Sequence, residues 1–184
     1  MKLSGKEVSV EWKDLLIDSY SGAFRAVERA LDGLTQEDLD WQPRPDSNSI
    51  GWTTWHLARS QDGLISYITG EEQLWVKDGW YAKFNRPADP SDSGYGHSPE
   101  QVAAFRSPAV ETLLNYHRAV LERSKQCLVT LSGDELGREI NDFLSQMFPT
   151  VGSRLVLILD EIQQHAGQVC YIRGLLQGSG WQKF

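Results

Sequence analysis

Gly152 to Gln177 is the stretch that most limits how this chain can fold. It holds no proline, and with Ser153 as its N-cap it predicts one helix of about 24 residues, the longest in the protein. Apolar side chains recur at Leu155, Ile158, Ile162, Val169, Ile172 and Leu176, three and four residues apart, the seam of a helix packed against others. His165 occupies one slot of that seam. An imidazole there needs a partner, because an unpaired buried polar group costs roughly 1–3 kcal/mol. Glu161 precedes it by one turn, so its side chain projects within about 40° of His165 and about 6 Å along the axis. Carboxylate and imidazole are expected to converge on one patch.

Upstream, a helical stripe at Leu16, Tyr20, Ala23, Phe24, Val27 and Ala30 predicts a first long helix from about Val10 to Gly33. Thr35-x-x-Asp38 is a capping pattern and predicts one helical turn in an otherwise irregular segment up to Ser49. Ser49 caps a second long helix that runs to Gly70, with Leu57, Leu64 and Ile68 inward and His56 in line with Trp52, Gly63 and Tyr67. From Glu71 to Ser107 the pattern changes to aromatics, prolines and the run Ser93-Gly-Tyr-Gly-His97, too long for an ordinary connection and best read as a functional cover. Within it, Ser98-Pro-Glu-Gln101 predicts a short helix to about Arg106. Ser107-Pro108 is expected to cap a third long helix to about Leu131, and Ser132 to Val151 reads as loop. The class is all-α, most simply a four-helix bundle with a long, partly helical connection between the second and third long helices.

At 184 residues the chain fits one domain, 1–184, large enough to bury roughly 70% of its unfolded surface. A net charge of −7 disfavours nucleic acid or an anionic membrane as partner. There is no apolar run of about 18 residues and no signal-peptide pattern, so the expected setting is cytoplasmic. Cys127 and Cys170 have neither metal-motif nor disulfide spacing and read as reduced thiols. Seven tryptophans is the unusual count, and Trp52, Trp55, Trp75 and Trp80 flank a single region.

His56 on the second long helix, with Glu161 and His165 on the last, could supply two imidazoles and one carboxylate from facing helices, a donor set suited to a divalent ion with open coordination positions. Glu-x-x-x-His alone also arises on many helices by chance. Around the triad, Arg59 reads either as a receiver of an anionic group or as an interhelical salt bridge, and His117 either as a core histidine or as a fourth ligand or base. Gln168 could orient a ligand, Trp52 and Trp80 could wall a pocket or fill the core, and Gly167 would let a neighbouring helix approach. Asp62 reads as a solvated or helix-pairing charge and His97 as exposed.

Ser49-Ile-Gly-Trp-Thr-Thr-Trp-His-Leu-Ala58 and Asp160-Glu-Ile-Gln-Gln-His-Ala-Gly-Gln168 resemble the two signatures of the DinB/YfiT-like superfamily. Trp41-Gln-Pro-Arg-Pro45 and Gly96-His-Ser-Pro-Glu-Gln101 resemble a branch of small DinB-like proteins. The resemblance spans nearly the whole chain. It implies a four-helix bundle, often homodimeric, with a divalent ion, commonly zinc or nickel, held by one histidine of the second long helix and two ligands on the last. By position those are His56, Glu161 and His165. Many members have histidine where this chain has Glu161; the mycothiol-dependent maleylpyruvate isomerase branch is similar in using glutamate.

Two functional classes follow. One is a metal-dependent enzyme acting on a small molecule, either a transferase or isomerase with a low-molecular-weight thiol as co-substrate or a hydrolase; Glu161 favours the thiol chemistry. The other is a non-catalytic homodimeric bundle serving binding or stress response. No Gly-x-Ser-x-Gly nucleophile motif is present.

Overall fold

Residues 10–182 are described in a computed structural model. Most of the helices begin where a side chain can satisfy the first free backbone amides. α1 (Trp12–Leu31) opens on Glu11 with Asp14 in a reciprocal cap and closes before Gly33, whose φ of 69° suits glycine. α2 (Gln36–Asp40) is the turn capped by Thr35 and Asp38. α3 (Ile50–Thr69) starts on the Ser49 hydroxyl and stops at left-handed Gly70. Then come α4 (Leu74–Lys77), α5 (Trp80–Lys83) and α6 (Pro99–Ala104), the last carrying the expected Ser98 and Gln101 box. α7 (Val110–Thr130) and α8 (Val151–Gln177) complete the set.

Two expected helix starts need correction. α8 is capped by Thr150, with Ser153 as its reciprocal partner in the first turn, so the helix has 27 residues. Ser107 does not cap α7; its amide donates to Asp40, its hydroxyl donates to the Pro108 carbonyl, and Ala109 is the residue before the helix. Gly51 explains why Ser107 stays there. A Cβ on Gly51 would meet Ser107 at 2.6 Å, so α3 can pass the start of α7 only because this residue has no side chain.

α1 and α3 each pack against both α7 and α8, which leaves one shared core between the four long helices. Tyr20, Val27, Leu57, Ile65, Tyr116, Val120, Leu155 and Ile158 are all but inaccessible within it. The α8 seam continues through Ile162, Ala166 and Val169. Ala166 takes the slot expected for His165, which moves the imidazole to the edge of the seam and leaves it half-buried. Among the described residues there is no strand, only an isolated bridge between Glu139 and Thr150, and no helix is long and apolar enough to cross a membrane. Lys183 and Phe184, the end of the expected polar tail, lie outside the described residues.

The segment between α3 and α7 adds two of the seven tryptophans to the core. Trp75, Trp80, Phe84 and Phe105 are buried, and the first three pack their rings 5.3–5.6 Å from Tyr116 on α7. Trp80 is thus a core residue. Asp62 fastens the segment from below: its carboxylate accepts from the amides of Leu74 and Trp75, the Tyr116 hydroxyl and the Arg123 guanidinium. It is fully buried, a pairing charge between α3 and α7 and not a solvated one.

Candidate metal centre

His56 lies on the inner face of α3, two turns ahead of Gly63, and Glu161 and His165 lie one turn apart on α8, the helix α3 packs against. One ligand atom from each falls within 4.8 Å of the other two. Glu161 Oε2 stands 3.9 Å from His56 Nε2 and 3.4 Å from His165 Nε2, and the two imidazole planes meet at 86°. Each ring is held from its far side. His56 Nδ1–H donates to the Ser93 carbonyl at 2.5 Å, and His165 Nδ1–H donates to Gln168 Oε1 at 2.9 Å. With the rings neutral, both Nε2 lone pairs therefore turn toward the same carboxylate oxygen; with His165 protonated, its Nε2–H is directed at Glu161 instead.

The protonation tendencies follow from these contacts. Burial pushes the His56 imidazole down, against the pull of the Ser93 carbonyl. The hydrogen bond from His165 lowers the Glu161 carboxyl below the usual range. For His165 burial acts downward, but the bonds to Glu161 and Gln168 outweigh it and leave the imidazole raised.

Trp52, one turn before His56, stacks on its ring at 4.9 Å and 17°. The Trp52 indole N–H donates to His97 Nδ1, and His97 Nε2–H donates to Asp92 Oδ1, while Asp92 Oδ2 accepts from both Nε and Nη2 of Arg86. His97 is thus half-buried and engaged, correcting the expectation of exposure. The turn between Asp92 and His97 folds directly over the site. Gly94 (φ 89°) is the close approach: a Cβ there would lie 2.9 Å from ring carbons of Trp52 and Trp55.

Beside the triad is a cavity of about 380 Å³ between α3, this turn, the segment before α8, and α8 itself. Zinc-type ions take nitrogen and oxygen donors in this number and leave positions for water or substrate, so the donor set fits a divalent ion.

A family model of the DinB superfamily matches residues 20–169, which include all three candidate ligands. The chain belongs to the DinB superfamily. The crystal structure of a conserved protein from Enterococcus faecalis is similar to this DinB protein, with a TM-score of 0.83 and 27% sequence identity, covering 93% of this chain and 100% of that one. A comparison with curated proteins finds no match.

The surrounding candidates separate clearly. Arg59 lines the cavity but its guanidinium is committed: Nε to the Asp92 carbonyl, Nη2 to the Pro90 carbonyl, Nη1 to Gln73 and the Tyr116 hydroxyl. It holds the covering turn down and is not available to an anion. His117 is in the core, edge-on to Phe24 at 5.0 Å, and is neither in the triad nor among the cavity residues. Trp52 walls His56, and Gln168 touches His165. Gly167 has nothing within 4 Å of an added Cβ, so the close helix approach expected there belongs instead to Gly51 and Gly94. Cys170 points toward the Ala26 carbonyl on α1, away from the triad. The sequence reading missed the Ser93 carbonyl and the Asp92–His97 pair. The glycine-rich run was their signal, since glycines on both sides of a tyrosine mark backbone forced close to something.

Proposed function

We propose that this DinB protein is a metal-dependent enzyme built as a four-helix bundle, in which His56, Glu161 and His165 hold a divalent ion of the zinc or nickel class. The observation that carries this reading is the matched use of the two Nδ1 atoms, by the Ser93 carbonyl and by Gln168. Metal-binding histidines almost always give their second N–H to a carbonyl or carboxylate in this way. Bound there, such an ion supplies Lewis acidity that brings the pKa of a water or a low-molecular-weight thiol toward neutrality. The residues of the chain supply the rest. Ser93 and Gln168 fix which nitrogen of each imidazole faces the centre, Trp52 fixes the plane of His56, and the covering turn limits access of bulk water. A small molecule in the adjoining cavity is the substrate, and a homodimer is the working form.

Elemental analysis of protein purified without chelator or nickel resin tests this, alongside His56→Ala and Glu161→Ala. The expected result is about one ion per chain, as for a three-ligand site, lost in both variants. A parent protein without metal that takes up none from added zinc or nickel would overturn the reading.

A second reading, a non-catalytic bundle in which Glu161 and His165 form an ion pair, is favoured by the opposed pKa shifts of those two residues. Acid separates the two. Neutral imidazole ligands release an ion as pH falls through the histidine range, because protons compete for the same lone pairs. An ion pair persists until the carboxylate itself is protonated.

A further inference from the structure

Exposed aromatic rings are unevenly spread over this molecule. Among the described residues, Tyr67, Tyr95, Phe143 and Tyr171 are the aromatic side chains left exposed, and the first three line the cavity beside the triad. Exposed Met147 lines it too, and the less exposed Leu64 and Leu157 continue the apolar surface. Single exposed apolar side chains are ordinary on a protein surface, but a cluster of them around one opening marks a place where something is bound.

Tyr95 is the most exposed of these, at 89%, yet its backbone is held. The His97 amide donates to the Gly94 carbonyl, and Gly96, with a φ of 76°, supplies the left-handed third residue of a type II turn whose second residue is Tyr95. Before Tyr95 the Ser93 carbonyl accepts from His56, and after it the His97 ring is bonded to both Trp52 and Asp92. The tyrosine is thus displayed at the tip of a turn anchored on both sides. Phe143, 74% exposed, comes from the segment before α8 and meets Tyr67 edge-on at 6.1 Å. Buried Arg154 fixes that segment by donating to the Phe148 carbonyl and pairing with Asp142. Side chains on a held backbone lose little further freedom when they close on a ligand, so more of their apolar contact appears as affinity.

The opening they surround leads into about 380 Å³, near the small end of the range for ligand pockets, with His56 and Glu161 in the lining. A concave space of this size fits a small molecule, whereas a stable protein partner needs a contact face of roughly 800 Å². The inner end carries ligands of the proposed ion, so the chemistry and charge of a substrate's head group are settled there. The outer end, built of rings and aliphatic side chains, acts on the rest of the molecule.

We infer that Tyr95 and Phe143 are specificity-determining residues, which hold a flat apolar body of the substrate, one or two rings in size, at the mouth of the cavity while its head group reaches the triad. The inference rests on the reading that this cavity serves the triad.

2-Naphthylmethanol is an uncharged and weakly metal-ligating probe of that size. Its binding to the full chain as purified is measured by ligand-observed NMR titration. Tyr95→Ala and Phe143→Ala are each expected to weaken binding about threefold or more, the effect of losing roughly a few tens of Å² of apolar contact, and the double variant about tenfold. Tyr95→Phe keeps the ring and should bind as the parent does. Tyr171→Ala, which removes an exposed ring of α8 outside this lining, should also leave binding unchanged. All three positions are exposed, so the variants are expected to melt with the parent. No binding by the parent, unchanged binding in Tyr95→Ala or in Phe143→Ala, or a matching loss in Tyr95→Phe or Tyr171→Ala would each overturn the inference. The probe reads the apolar mouth and not the ion, so elemental analysis decides the metal reading separately.

Discussion

Gly94 lies so close to His56 that a Cβ on it would stand 3.1 Å from Nδ1, the same atom that donates to the carbonyl of the preceding residue, Ser93. The covering turn and the ligand are therefore positioned as one unit. Gly94→Ala puts a methyl group 2.9 Å from both indoles at a φ of 89°, and the turn must lift. Urea unfolding is expected to show a loss of about 1–3 kcal/mol from backbone strain and overpacking. Zinc affinity, measured by chelator competition, should fall by about tenfold as the Ser93 carbonyl leaves the imidazole.

Gln168 allows a cleaner test of the outer contacts because it is exposed on α8. Gln168→Leu removes the acceptor for His165 Nδ1–H while leaving the helix intact. Metal affinity is expected to drop about 10–100-fold, with a thermal midpoint for the metal-free protein close to that of the parent. Gln168→Glu keeps an acceptor and should restore most of the affinity. Equal affinity in all three proteins would show that Gln168 does not orient the ligand.

Arg59→Met is expected to act on stability. It strips the Pro90 and Asp92 carbonyls and the Gln73 side chain of their donor, and leaves Asp62 with Arg123 as its remaining guanidinium. Breaking a buried network of this kind costs about 3–5 kcal/mol, readable by chemical denaturation. A loss below about 1 kcal/mol would fit a surface ion pair instead.

His117 gives the fold an acid-sensitive element away from the triad. Burial, with a further push from Arg118, lowers its pKa from 6.5 to about 3, and its Nδ1 has no hydrogen-bond partner. The folded state keeps the ring neutral where the unfolded chain takes up a proton. Its contribution is thus fully present above pH 6.5 and is lost progressively as pH falls toward 3, with a slope of up to about 1.4 kcal/mol per pH unit. His117→Leu should flatten the stability profile between pH 6.5 and 4 relative to the parent, measured by urea unfolding at fixed pH. Parallel profiles would mean that the ring is not buried neutral.

The long helices were legible because their apolar spacing is a local property, and so were the caps at Ser49 of α3 and at Thr35 and Ser98 of the short helices α2 and α6. Glu161 and His165 were legible for the same reason, since one turn of helix fixes their proximity. The start of α8 was misplaced because Thr150 and Ser153 cap each other, and either one alone resembles the boundary. Three-and-four spacing also admits Ala166 as readily as His165, so the seam did not reveal which of them faces inward. Arg59, Asp62 and His97 were harder. Their partners lie on other elements, and nothing in the neighbouring sequence distinguishes a guanidinium bound to backbone carbonyls from one waiting for an anion.

His56 and Glu161 come from opposite halves of the chain, so α3 and α8 must already be docked before the three ligand atoms meet. An ion held between them would work as a removable cross-link, closing a loop that contains most of the fold. Since the unfolded chain has no such cluster, the ion would favour the native state by mass action, about 2.7 kcal/mol at a hundredfold excess over its dissociation constant. The melting temperature would then track free metal concentration, and the protein would withstand heat best under the conditions in which its centre is filled.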